Sequence, residues 1–136
     1  MILGFKQQFK APILAGTKIH SIRDDKSARW KTGNSIQMAT GNQTKNYDCF
    51  KEAECLNVQD VFMSIVQGTV HISIDENEIY YYPEKDVFAR NDGFENWVSF
   101  VDFFYPIIED NSGEYSGKLI HWTPIQYMRH GKIEQL

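Results

Sequence analysis

With 136 residues, 42% of them hydrophobic and 24% charged, the chain has the size and composition of one folded domain rather than of a disordered polymer. Its net charge of −4 argues against indiscriminate nucleic-acid binding, although residues 1–51 hold nine Lys and Arg against three Asp and Glu while residues 52–136 hold five against fifteen. No run approaches the ~18 apolar residues of a membrane span, and the opening MILGFKQQF is too short for a signal peptide and lacks its basic leader. No membrane partner and a cytoplasmic location are therefore expected. Cys49 and Cys55 complete no four-ligand zinc pattern and are read as reduced, and no cofactor is expected.

In chain order, residues 3–9 alternate weakly and predict a first strand. Pro12 suits a first helical turn and Gly16 a left-handed helix stop, so a short helix over residues 12–15 follows. Residues 19–24 then read as a strand with Ile19, Ser21 and Arg23 on one face and His20, Ile22 and Asp24 on the other. The run DDKSARWKTGN predicts an exposed basic loop closing on a Gly33-Asn34 turn. Residues 35–40 form another strand, and 44–51 extend a polar and aromatic stretch. Residues 55–66 suggest an irregular strand, and 69–74 the cleanest one, with Val70, Ile72 and Ile74 facing the core. A turn at 75–77 leads to a hairpin strand over 79–82 that Pro83 is expected to stop. A helical turn at 86–90 and an Asn91-Asp92-Gly93 elbow precede the major helix, whose face is Phe94, Trp97, Val98, Val101, Phe104 and Tyr105, and which Pro106 is expected to end. KLIHWT at 118–123 is a closing strand. Residues 1–127 are read as one domain and 128–136 as a loose C-terminal tail. The fold class expected is α+β: a small, mostly antiparallel β-barrel with two to three helices.

The segment ILAGTKIHSIRDD, with the basic loop and Gly-led strand after it, resembles the ASCH family, whose members have a PUA-like β-barrel. ARNDGF at 89–94, the Phe-rich helix and KLIHW at 118–122 are similar to the family's later elbow, helix and closing strand. Residues 47–82 match no motif. The resemblance implies recognition of RNA or a modified nucleoside in a cleft on the barrel. One bacterial branch hydrolyses the acetamide of N4-acetylcytidine with a Lys, a Thr three positions later and a Glu on the elbow. By position these become Lys18, Ser21 and Asp92, so the hydroxyl is kept and the carboxylate shortened by one methylene.

For amide hydrolysis Ser21 is the nucleophile candidate and Lys18 the base, provided burial or a neighbouring cation such as Arg23 depresses its pKa. Lys18 converges with Ser21 only if it sits at the helix exit, because residues three apart in a regular strand face opposite ways. Asp92 would orient the lysine or bind the exocyclic nitrogen, and Arg23 would hold a carbonyl or phosphate oxygen. Lys26, Arg29, Lys31 and Lys45 are candidates for tracking a phosphate backbone and Trp30 for stacking on a base, with Trp97 and Trp122 assigned to the core. His20, His71 and His121 fall on separate strands, and no metal site is expected from them. The plain structural alternatives are a solvated Lys18, an ordinary strand hydroxyl at Ser21, surface ion pairs at Arg23, and Asp92 as a turn acid or the cap of the following helix. The functional expectation is an RNA- or nucleoside-recognising domain; the alternatives are an N-acylated-nucleoside amidohydrolase and a non-catalytic protein-interaction domain.

Overall fold

The computed structural model describes residues 1–136. The chain runs β1 (Ile2–Phe5), α1 (Lys10–Ala15), β2 (His20–Arg23), β3 (Ser35–Thr40), β4 (Asp48–Glu54), β5 (Asn57–Val66), β6 (Thr69–Ile74), β7 (Asn77–Glu78), α2 (Tyr82–Asn91), α3 (Trp97–Asp110), β8 (Glu114–His121), β9 (Ile125–Tyr127) and β10 (Ile133–Gln135). Three sheets result: β1-β3-β4, β2-β8-β5-β6-β7, and the β9-β10 pair. Only β1 and β3 pair in parallel; every other pairing is antiparallel. The molecule is thus α+β with three helices and mostly antiparallel sheets, and no helix is long and apolar enough to cross a membrane.

Local chemistry explains most element bounds. Gly16 at φ 80° ends α1, where a side chain would be strained. The alternation of β6 buries Val70, Ile72 and Ile74 against the helices. Two prolines act differently from expectation. Pro83 does not stop a strand; it occupies the first turn of α2, where its missing N–H costs nothing, and Tyr80 and Tyr81 lie outside the sheet. Pro106 does not end α3. The buried stripe Trp97, Phe100, Phe104 and Ile108 continues past it, and the helix follows the stripe to Asp110. Residues after Met128 are not a free tail either, since β10 folds back antiparallel onto β9.

Two apolar cores form. The larger lies between the five-stranded sheet and α2 and α3; the smaller gathers Leu3, Phe5, Phe9, Ile13, Trp30, Ile36 and Met38 around the three-stranded sheet. Phe94 and Phe103 pack against both. The seam between the cores is where the polar residues of β2 meet the α2–α3 elbow.

Candidate functional site

The helix stop sets the position of Lys18. After Gly16 turns the chain, the Thr17 and Lys18 N–H groups donate back to Pro12 O at 3.0 and 3.1 Å, and Ile19 N–H donates to Asn91 O at 2.8 Å before β2 begins. Lys18 therefore precedes the regular strand, and the expected conflict of faces with Ser21 does not arise. Both residues line one cavity of about 320 Å³, with Arg23, Asp24 and Asp92 adding polar groups and Phe5, Phe9, Phe94, Phe103 and Tyr115 among its walls.

Asp92 reaches the cavity because it ends α2. Its N–H donates to Phe88 O and Ala89 O, so it caps this helix rather than the next, whose cap is Asn96. Gly93 follows at φ 95°, and a Cβ there would fall 2.7 Å from Lys18 Cδ, so only glycine lets the elbow close over the lysine stem. Opposite, a Cβ on Gly117 would fall 2.7 Å from Arg23 O, so β8 also leaves room at the arginine.

The Lys18 ammonium is 2% exposed and donates to His20 O at 2.8 Å, to Asp92 O at 2.5 Å and, at 3.4 Å, to Asp92 Oδ1. Burial lowers its pKa from 10.5 to about 8; Asp92 opposes the fall and Arg23 adds to it. Arg23 donates through Nε to Ser21 Oγ at 3.3 Å and lies 4.8 Å from the Phe5 ring centroid. Ser21 is thus bonded to the guanidinium and not to the lysine. Tyr115 is pushed up by burial, with Asp24 adding to the rise.

Behind the cavity lies a polar chain that strand alternation alone does not reveal. His20 Nδ1 is 3.0 Å from Asp92 Oδ1, His20 Nε2 is 2.6 Å from the Tyr127 hydroxyl, and Asn91 Nδ2 donates to that hydroxyl at 3.0 Å. Burial keeps the His20 pKa below its usual value even though Asp92 pulls it up. Gln59 holds Tyr127 by its backbone: Oε1 accepts from Tyr127 N–H and Nε2 donates to Tyr127 O, both at 2.9 Å. His121, at 3.0 Å from the same Oε1, is held neutral chiefly by burial, with His20 adding to the effect, and its pKa falls to about 3. Strand alternation places His20 on the face opposite Ser21, and the end of α2 wraps around that face to bring Asp92 to it. Tyr127 carried no signal beyond being an aromatic residue at the edge of an apparent tail.

The remaining candidates lie elsewhere. Trp30 is 7% exposed and sits in the smaller core, so its ring is not free to stack on a base. Asp25 accepts from the N–H groups of Arg29 and Trp30 at 2.8 and 3.0 Å, a turn that tucks the indole inward from a polar loop. Lys26 and Arg29 border a separate shallow cavity with Asp24 and Asp25. Lys31 and Lys45 are exposed and outside the cavity at Lys18. No group of His, Cys, Asp and Glu has the arrangement of a metal site. No protein-family model, curated protein or solved structure matches the chain.

Proposed function

We propose that the chain is a nucleoside- or RNA-recognising domain of ASCH type, with a PUA-like barrel arrangement of its sheets, and that the cavity bordered by Lys18, Ser21, Arg23 and Asp92 takes one nucleoside unit. The observation that supports this most is the lining: a cavity of about 320 Å³ walled by Phe5, Phe9, Phe94, Phe103 and Tyr115, with a hydroxyl, a guanidinium, an ammonium and a carboxylate converging on it. That size falls at the small end of ligand sites. Aromatic walls suit the faces of a planar heterocycle, and the polar groups suit its edge. Calorimetric titration with cytidine and N4-acetylcytidine tests the reading. Saturable binding that Arg23→Ala weakens supports it, and absence of heat with either compound removes it.

A second reading, amide hydrolysis of N4-acetylcytidine or a related N-acylated nucleoside, is favoured by the lowered pKa of Lys18, about 8, which leaves part of the amine unprotonated near neutrality. Ser21 would attack the acetyl carbonyl and Lys18 take the hydroxyl proton. Binding ranks ahead of hydrolysis because Ser21 Oγ is bonded to Arg23 and the Lys18 amine to carbonyls and Asp92. Incubation with N4-acetylcytidine, with Lys18→Ala as control, decides: release of cytidine that the substitution abolishes establishes the hydrolase, and no release leaves the binding domain.

A further inference from the structure

The protons of the buried chain behind the cavity are fixed by its partners. Asn91 Nδ2 is a donor only, so the Tyr127 oxygen accepts there and its one O–H is left for His20 Nε2 at 2.6 Å. Nε2 is then a lone pair, the ring proton is on Nδ1, and Nδ1–H donates to Asp92 Oδ1 at 3.0 Å. The ring is fully buried and held in place by Phe88, His121 and Tyr127 at centroid distances of 5.1 to 6.0 Å among the four.

Asp92 is consequently tied on one side only. Oδ1 receives His20 Nδ1–H and the long bond from Lys18, whereas no protein group donates to Oδ2. The fully enclosed side-chain atoms without a partner are on Asn57, Glu84, His121 and Thr123, so Oδ2 is not one of them; it belongs to a residue lining the cavity. We propose that His20 and Tyr127 are positioning residues for the cavity, holding Asp92 through Oδ1 so that Oδ2 is presented to accept an N–H or O–H of the ligand. This rests on the reading of the cavity as a nucleoside site. It adds two residues with no direct access to the ligand, one of them contributed by the C-terminal hairpin.

The test uses the full chain. In the free protein at pH 7, nitrogen-15 NMR of His20 is expected to show a protonated Nδ1 and a bare Nε2; the opposite tautomer or an imidazolium overturns the proposal. Tyr127→Phe removes one O–H and keeps the ring, and it is expected to weaken cytidine about tenfold, the loss of one hydrogen bond's worth of positioning. In an Asp92→Asn background the same substitution is expected to cost nothing further, and an undiminished loss there overturns the proposal. His20→Asn, whose amide places a donor near the Nδ1 position, is expected to retain binding that His20→Leu loses; equal losses point to a structural role alone and overturn it. If cytidine fails to bind the wild-type protein, the nucleoside reading falls but the positioning claim is still decided by the Lys18 amine titration. Release of Asp92 from His20 lets its carboxylate close on the ammonium, so His20→Leu is expected to raise the Lys18 midpoint while His20→Asn keeps it. An unchanged or lowered midpoint in His20→Leu overturns the claim.

Discussion

Lys18 and Asp92 stand 74 positions apart in sequence, yet the Lys18 ammonium donates both to the Asp92 backbone oxygen at 2.5 Å and to its carboxylate at 3.4 Å. The backbone bond anchors the lysine independently of the side chain at 92. Asp92→Asn is therefore expected to leave Lys18 in place while removing the charge that raises its pKa. The Lys18 midpoint is expected to fall below about 8, read from the carbon-13 shift of Cε in a pH titration; a rise would contradict this electrostatic assignment.

The same lysine makes stability depend on pH. Its folded-state pKa of about 8 lies below the ordinary 10.5, so between those values the unfolded chain holds more protons than the folded one. Stability accordingly increases as pH rises through that window, and the cost of burying the ammonium is fully present below it. The span is on the order of 3 kcal/mol. Denaturant unfolding at pH 7 and pH 10.5 measures it, and Lys18→Met, by removing the titrating group, is expected to flatten the difference.

Gly93→Ala places a Cβ where φ is 95° and the Lys18 stem is 2.7 Å away. Backbone strain alone is worth about 1–3 kcal/mol, and displacement of the lysine adds to it. A lowered melting temperature together with a shifted Lys18 midpoint is expected. Gly16→Ala, with φ 80° but open space around it, is expected to show the strain without the shift.

Arg23 combines a hydrogen bond to Ser21 with a stacked position over Phe5. Arg23→Lys keeps the charge but neither the planar fork nor the stacking, so it is expected to weaken cytidine nearly as much as Arg23→Ala. Loss of a charged hydrogen bond corresponds to about 1.5–3 kcal/mol, or roughly 10- to 150-fold in affinity. Calorimetry on the two variants checks it; full retention in Arg23→Lys would mean that only charge is used.

Pro106 is exposed and inside α3. Proline is about 3 kcal/mol worse than alanine in a helix interior, and no core contact is lost on replacement. Pro106→Ala is expected to stabilise the protein by about 1–3 kcal/mol, measured as a shift in denaturant midpoint.

Features governed by neighbouring residues were legible in the sequence. The alternation of Val70, Ile72 and Ile74 marked β6, Gly16 marked the helix stop, and the helix-exit position of Lys18 followed from that stop. What failed depended on contacts distant in sequence. A tryptophan between Arg29 and Lys31 reads as surface until the smaller core is assembled around it. Pro106 reads as a terminator until the buried Ile108 beyond it is seen. His20 and Tyr127 belong to one chain of hydrogen bonds only because α2, β2 and β9 meet, and no local pattern encodes that meeting.

The pairings of the five-stranded sheet also differ in how local they are. β5 and β6 are joined by the two residues Gln67 and Gly68 and can zip locally, whereas the only sheet neighbour of β2 is β8, near the other end of the chain. β8 pairs with β5 along one edge and with residues 20–23 along the other, so β2 is held by the most sequence-distant pairing in the sheet. Ser21 is therefore backed by a strand from the last quarter of the chain. On the nucleoside reading of the cavity, cytidine binding in a refolding experiment is expected to return after the bulk of the backbone structure, because the β2–β8 pairing that backs the cavity is the least local in the sheet.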